Sequence, residues 1–414
     1  MPDLGDQRWS CRSCGDCCRT LVGHLTNAER RRIEEQGWRD RLGVEPYVRL
    51  GRGWALNKRA GGACVFLDEA NRCRIHAEFG ESSKPLACRI FPFSVHPAEG
   101  AWRATLRFDC PSVIASHGDA IATRRRSLDQ LVQAMPPPGA RDAGPARLQR
   151  GITATRDEVE AVVAHYRRML SNDSISMVDR VVGGARISSA LAGARFKKVR
   201  GDRLVELLGL LFGAVPGELG GEVEPPTSRQ EGLLRQVVFA HTEHVSLDLR
   251  RASIARRTLR RARQLRDARS FLSGRGAVPA IPGIRGAAAF ERVESATASS
   301  ADAPGIEELI GRYLRTRMAG RSVFGSGYYG WPIFTGFAAL FTSIAAVGWL
   351  SRYVAAADGR STFVFDDVAR ALGMVDRAAT RLPALGTMTE RARMAYLSRD
   401  DGVARLVRKH LPFA

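Results

Sequence analysis

The chain has 414 residues and a mass of 45.3 kDa, enough for two or three packing units. With 44% hydrophobic and 26% charged residues, it is neither a disordered polymer nor a collagen-like repeat. Basic residues outnumber acidic ones by 63 to 43, giving a net charge of +20, and only five of the basic residues are lysine.

Met1 to Ser10 contain no basic n-region and no apolar h-region, so no secretory signal is expected and the chain reads as cytoplasmic. Thiols stay reduced in that compartment, and clustered cysteines there read as metal ligands before disulfides. All eight cysteines lie between Cys11 and Cys110. Residues 1–115 therefore read as a small, irregular, Cys-rich domain in which a metal replaces much of the core. Within it, Thr26-Asn27-Ala28-Glu29 is a capping box that opens a helix to about Gln36. Short strands are expected after Tyr47 and around Trp102–Leu106.

Residues 116–150, with Pro136-Pro137-Pro138, read as a linker. Residues 151–273 read as a helical domain. Its helices are expected over Asp157–Leu170 and Arg203–Phe212, followed by a Gly/Pro-rich break over 213–226. Ser228-x-x-Glu231 then opens a long helix to about Leu272, with a break along it as the alternative. Between Arg250 and Arg269 that helix has nine arginines against one acid, Asp267. Such a charge suits nucleic acid or an acidic protein partner. With no aromatic platform beside it, a solvated face in an arginine-biased chain is the plainer reading, and nucleic acid the less favoured partner. His241, His244 and Asp248 share one helix face, as metal ligands would. Without a fourth ligand they read as packing or surface residues.

Residues 274–305 read as a second linker, and 306–414 as a C-terminal helical segment packed on the body. That segment is expected to hold helices over Ile306–Met318, Phe365–Leu382 and Met388–His410. Pro332–Leu350 is uncharged and approaches the ~20 apolar residues that span a bilayer. Its Thr, Ser and Gly content and Ala-rich middle instead favour a buried core helix. The expected fold is mainly α, a Cys-rich metal-binding domain followed by an all-α body.

The cysteine pattern is the strongest chemical signal. Cys11-x2-Cys14-x2-Cys17-Cys18 is followed by Cys64, Cys73, Cys88 and Cys110, the last directly before Pro111. Two-residue spacing lets thiolates curl onto one centre, as in four-iron (4Fe-4S) clusters, and the same ligands suit tetrahedral zinc. Eight cysteines fill two four-ligand sites, or one site with four to spare. Adjacent Cys17 and Cys18 are expected to diverge, and so to serve two centres or to leave one of them free for chemistry. His24 and His76 are candidate auxiliary ligands. The C-x3-C-x2-C spacing, a P-loop and a Rossmann glycine loop are all absent from the sequence.

Together with Cys64-Val-Phe-Leu-Asp68, Cys73-Arg-Ile-His76, Lys84-Pro85-x-x-Cys88-Arg89-x-Phe91-Pro92 and Cys110-Pro111, this order resembles the bacterial CxxCxxCC cysteine-cluster family. That family is described as zinc- or iron-chelating and includes flagellin lysine N-methylases. The likeness covers about residues 8–115, and Phe324-Gly325 and Gly330-Trp331-Pro332 look like the longer members. It implies an iron–sulfur or zinc centre on these cysteines. It also implies protein-lysine methylation with S-adenosylmethionine, bound in an atypical pocket beside the centre and Arg89. Asp16, Asp68 and Asp109 are candidates for handling the lysine proton, or else turn formers and N–H acceptors. The competing implication is a non-enzymatic module whose metal only folds the head while the basic helices bind a partner.

Overall fold

A computed structural model describes residues 7–98, 101–133, 144–243, 247, 253–379 and 382–411. The chain is mainly helical, with small sheets concentrated towards its N-terminus. The head has its own apolar core, in which Ile33, Trp38, Phe66, Leu67 and Ile75 are closed over by a three-stranded antiparallel sheet. The sheet runs in the order His24–Leu25, Gly53–Leu56, Tyr47–Leu50. The expected capping box forms as read: Thr26 accepts from the Glu29 N–H, and Glu29 accepts from the Thr26 N–H.

From Phe93 onward the chain leaves that core. The Phe93–Ala98 and Ala101–Leu106 hairpin, with Phe108, Cys110 and Val113, contributes to the much larger core of the helical body. Buried Asp376 fastens the junction by accepting the Phe108 N–H at 2.7 Å.

The body is built around the Ile333–Ala357 helix, whose most apolar stretch is 94% buried. It packs as a core helix against the helices Met177–Gly193, Ser228–Thr242, Phe365–Ala379 and Gly402–His410. Small residues permit this closeness. A Cβ on Gly336 would lie 2.0 Å from the Val323 carbonyl oxygen, and one on Gly184 would lie 2.6 Å from the Phe341 ring.

Several elements differ from expectation. The helix expected from Ser228 takes the broken form: among the described residues Ser228–Thr242 and Ile254–Ser273 are separate helices, packed antiparallel. Arg235 reaches the Phe271 carbonyl at 2.9 Å, and Gln264 reaches Glu243 at 2.6 Å. The first of these begins one residue early, because the capping box uses Thr227 and Gln230 rather than Ser228 and Glu231. Glu231 turns inward instead, to His410 at 2.9 Å. The stretch 274–305 is packed rather than loose: Val278, Ile281, Phe290 and Val293 are buried, and Phe290–Ser295 is helical. Residues 116–150 likewise contain a helix, Arg125–Gln133, with Leu128 buried, while Pro136–Pro138 lie outside the described residues. The final helix is split into Met388–Leu397 and Gly402–His410 by Asp400 and Asp401, both at positive φ.

The Arg156–Leu170 helix shows how one side chain organises an entry. Glu158 closes the Thr155 capping box and also accepts from Arg200 Nε at 2.7 Å and the Gly201 N–H at 2.9 Å. The Arg200 hydrogen bonds, the largest influence, hold its carboxyl at about 2. The folded state therefore releases this proton more readily than the unfolded chain, whose Glu titrates near ~4.3. Its stabilisation is complete above that value and is lost as the pH falls towards 2. Glu158→Gln is expected to weaken the protein at neutral pH and to flatten its acid dependence between about pH 5 and 2. Urea titrations across that range measure both effects.

Candidate metal centre

The cysteines are brought together by short turns rather than by long elements. Ser13 and Gly15 take positive φ, turning the chain into the one-turn helix Asp16–Thr20 that carries Cys17 and Cys18. The Cys18 carbonyl accepts the Cys64 N–H at 2.9 Å and the Lys58 ammonium at 2.5 Å, which staples this turn to the next cysteine segment. Cys64 and Cys73 stand at the two ends of a tight reversal closed by Asp68, whose carboxylate accepts the Arg72 N–H at 2.7 Å. Cys73 then occupies the N-cap position of the Arg74–Phe79 helix. Cys88 rides on the Leu86–Arg89 turn, which Glu29 anchors by accepting the Leu86 N–H at 2.6 Å. Gly23 lies close to it: a Cβ there would crowd Leu56 at 2.9 Å and make ordinary contact with the Cys88 sulfur at 3.5 Å.

Five thiols thus form one electrostatic unit. The Cys17 and Cys18 sulfurs are 4.0 Å apart. At that separation the two sulfurs approach each other, contrary to the divergence expected of neighbouring side chains. Zn–S bonds of about 2.3 Å in a tetrahedron give an edge of about 3.8 Å, so this pair can share one ion. Among the described residues no third sulfur lies within 4.8 Å of both, so the remaining thiols stand around the pair at wider spacing.

Cys17, Cys64 and Cys88 each resist ionisation on their own. Hydrogen bonding to the Cys18 sulfur, then burial, pushes Cys17 up. Burial pushes Cys64 up to about 11, reinforced by the fields of Cys73 and Cys17. Burial also raises Cys88, with Cys64, Cys73 and Cys17 adding to it. A cation inverts this balance, since thiolates crowded in a low-dielectric site need a positive charge among them. Lys58 and Lys84 supply part of it. The soft thiols of Cys17 and Cys18, with Cys64, Cys73 and Cys88 acting through their fields, therefore suit a thiophilic metal such as zinc or iron.

The other sequence candidates lie elsewhere. Cys11 is exposed and Cys14 half-buried on the approach loop, and neither is among the main charge influences on the buried thiols. Cys110 belongs to the body's core beside Trp9, where burial pushes it up to about 11. Arg89 closes the same turn as Cys88 and is half-buried. His76 is exposed on its helix. Asp68 is a turn former, and Asp109 is buried in ion pairs with Arg107 and Arg377. His241 bonds the Val237 carbonyl and is held neutral by burial at about 4. Its proposed partners His244 and Asp248 lie outside the described residues. Lys58 went unnoticed in the sequence, although a scarce lysine in an arginine-rich chain was a usable signal.

The outer side of the cysteine turn faces a cleft between head and body. One cavity there, of about 430 Å³, is lined by Arg19, Thr20, His24 and the end of the Ser228–Thr242 helix. A second, of about 520 Å³, is lined by Arg12, Asp16 and Asp109. The two share Thr20, Pro282, Gly283, Met374 and Arg377, and so form one groove along the cysteine turn.

Residues 10–110 match the CxxCxxCC family model, described as a putative zinc- or iron-chelating domain. The match spans the whole cysteine pattern apart from the residues that flank it, and zinc or iron chelation is the property it assigns to this part of the chain. No curated protein and no solved structure matches the chain.

Proposed function

We propose that the zinc- or iron-chelating domain holds an iron–sulfur cluster on four of the thiols Cys17, Cys18, Cys64, Cys73 and Cys88, and that this centre supports S-adenosylmethionine-dependent methylation of protein lysines in the cytoplasm. The observation that supports a reactive centre over a plain knot is the groove, because the turn bearing Cys17 and Cys18 forms one of its walls. A cluster contributes an electron-rich, thiolate-ligated metal surface when bound. The chain's own contribution is to keep water from Cys64 and Cys88, to offset thiolate charge with Lys58 and Lys84, and to line the groove with Arg19 and Arg377.

A second reading has its own support. The head's separate core is small, and domains of that size are commonly folded by their metal. On that reading the metal is a staple and the chain is an interaction module.

Anaerobic purification with iron, sulfide and zinc counted per chain, beside a visible spectrum, separates the two. Brown protein with about four iron and four sulfide per chain is the expected result. Calorimetry with S-adenosylmethionine is then expected to show binding. Colourless protein holding only zinc, with no S-adenosylmethionine binding, would overturn the methylase reading and leave the staple.

A further inference from the structure

The Ile254–Ser273 helix has two unlike sides. Its inner side packs on the Ser228–Thr242 helix through buried Phe271, which meets Phe239 at 5.3 Å, and through Gln264. Its outer side carries the exposed arginines Arg256, Arg261, Arg263, Arg266 and Arg269. Among them stand Leu259, Leu265 and Leu272, exposed by 57%, 65% and 44%. The helix's single acid, Asp267, is half-buried and paired with Arg266.

Three exposed leucines thus stand among exposed arginines along one helix. The leucines also fail to make a partner-helix seam. Spacings of six and seven residues place Leu265 and Leu272 together but turn Leu259 well away, so no a/d stripe forms. Nucleic acid would find the arginines but no aromatic side chain to stack on. An anionic bilayer surface satisfies both features: guanidinium groups meet lipid phosphates, and scattered leucines enter the fluid boundary without needing preformed pockets. We infer that this helix face docks the protein peripherally on membranes rich in anionic phospholipid. The inference is independent of the metal centre.

Flotation of the full chain with phosphatidylcholine vesicles, with and without phosphatidylglycerol, tests it. Binding is expected only with phosphatidylglycerol, and is expected to weaken as salt rises. Each exposed arginine contributes about fivefold, so the combined variant R261Q/R263Q/R269Q should bind about 100-fold more weakly. L265N/L272N should retain the charge attraction but bind several-fold more weakly, and salt should then release it completely. These side chains are exposed, and an unchanged thermal melt would confirm that both variants fold. Equal binding to both vesicle types, no binding to either, or wild-type binding by the triple variant would overturn the assignment. Retention of duplex DNA or polyglutamate without vesicle binding would overturn it too, giving the face to another partner.

Discussion

Replacing Cys88 with serine is expected to empty the metal site and melt the head, whereas Cys110→Ala should leave the metal content at the wild-type value. Cys88 is half-buried, and Cys64, Cys73 and Cys17 raise the cost of its ionisation until a metal arrives. Removing it withdraws a thiolate donor on which the other three act. Structural zinc in small domains is worth about 10–16 kcal/mol, so even a fraction of that exceeds what the head's small core can supply. Cys110 is left out of the proposed ligand set, since its surroundings are Trp9 and the apolar core of the body. Metal per chain by mass spectrometry, and a thermal melt followed by circular dichroism, measure both variants. Equal metal loss in the two would show that Cys110 is a ligand and that the head rearranges around the bound metal.

Gly348→Ala is expected to destabilise the body by about 3 kcal/mol, at the upper end for overpacking. An added Cβ would lie 1.5 Å from the His410 carbonyl oxygen, a backbone atom with no freedom to swing aside. The C-terminal helix Gly402–His410 is held at that point from three directions. Arg352 donates to the His410 carbonyl at 3.2 Å, His410 pairs with Glu231 at 2.9 Å, and Lys409 pairs with Glu231 at 2.8 Å. Moving the backbone would disturb all three. Gly209→Ala is the control: it sits in the Asp202–Gly213 helix with nothing within 4 Å of a new Cβ. There alanine should stabilise by up to about 1 kcal/mol, because it costs less backbone entropy in a helix. Urea denaturation midpoints should move in opposite directions for the two variants.

Much of this architecture is local chemistry and could be read from residues a few positions apart. The Thr26–Glu29 capping box, the helices near Asp157 and Arg203, and the crowding of cysteines before residue 111 all depend on short spacings. The uncharged stretch after Pro332 identified itself as a core helix by its small and hydroxyl residues, and its burial agrees. Where two local rules were equally satisfied, the sequence could not choose. Thr227 with Gln230 and Ser228 with Glu231 are both sound capping boxes, and the first forms because Glu231 is drawn inward to His410, 179 residues away.

Other features existed only once distant segments met. The Met177–Gly193 helix escaped notice because Gly183 and Gly184 weaken it locally; they are needed because Val215 and Phe341 pack where their Cβ atoms would stand. The hairpin of Ser228–Thr242 and Ile254–Ser273 likewise follows from inter-helix partners that no periodicity announces. The eight cysteines show the same division. Their spacing declares a soft-metal ligand set, because thiol chemistry is a property of residue type. Which thiols act on one another, and why Cys110 packs in the body's core, depends on burial and on the charge of neighbours far along the chain. Those are properties of the folded interior alone.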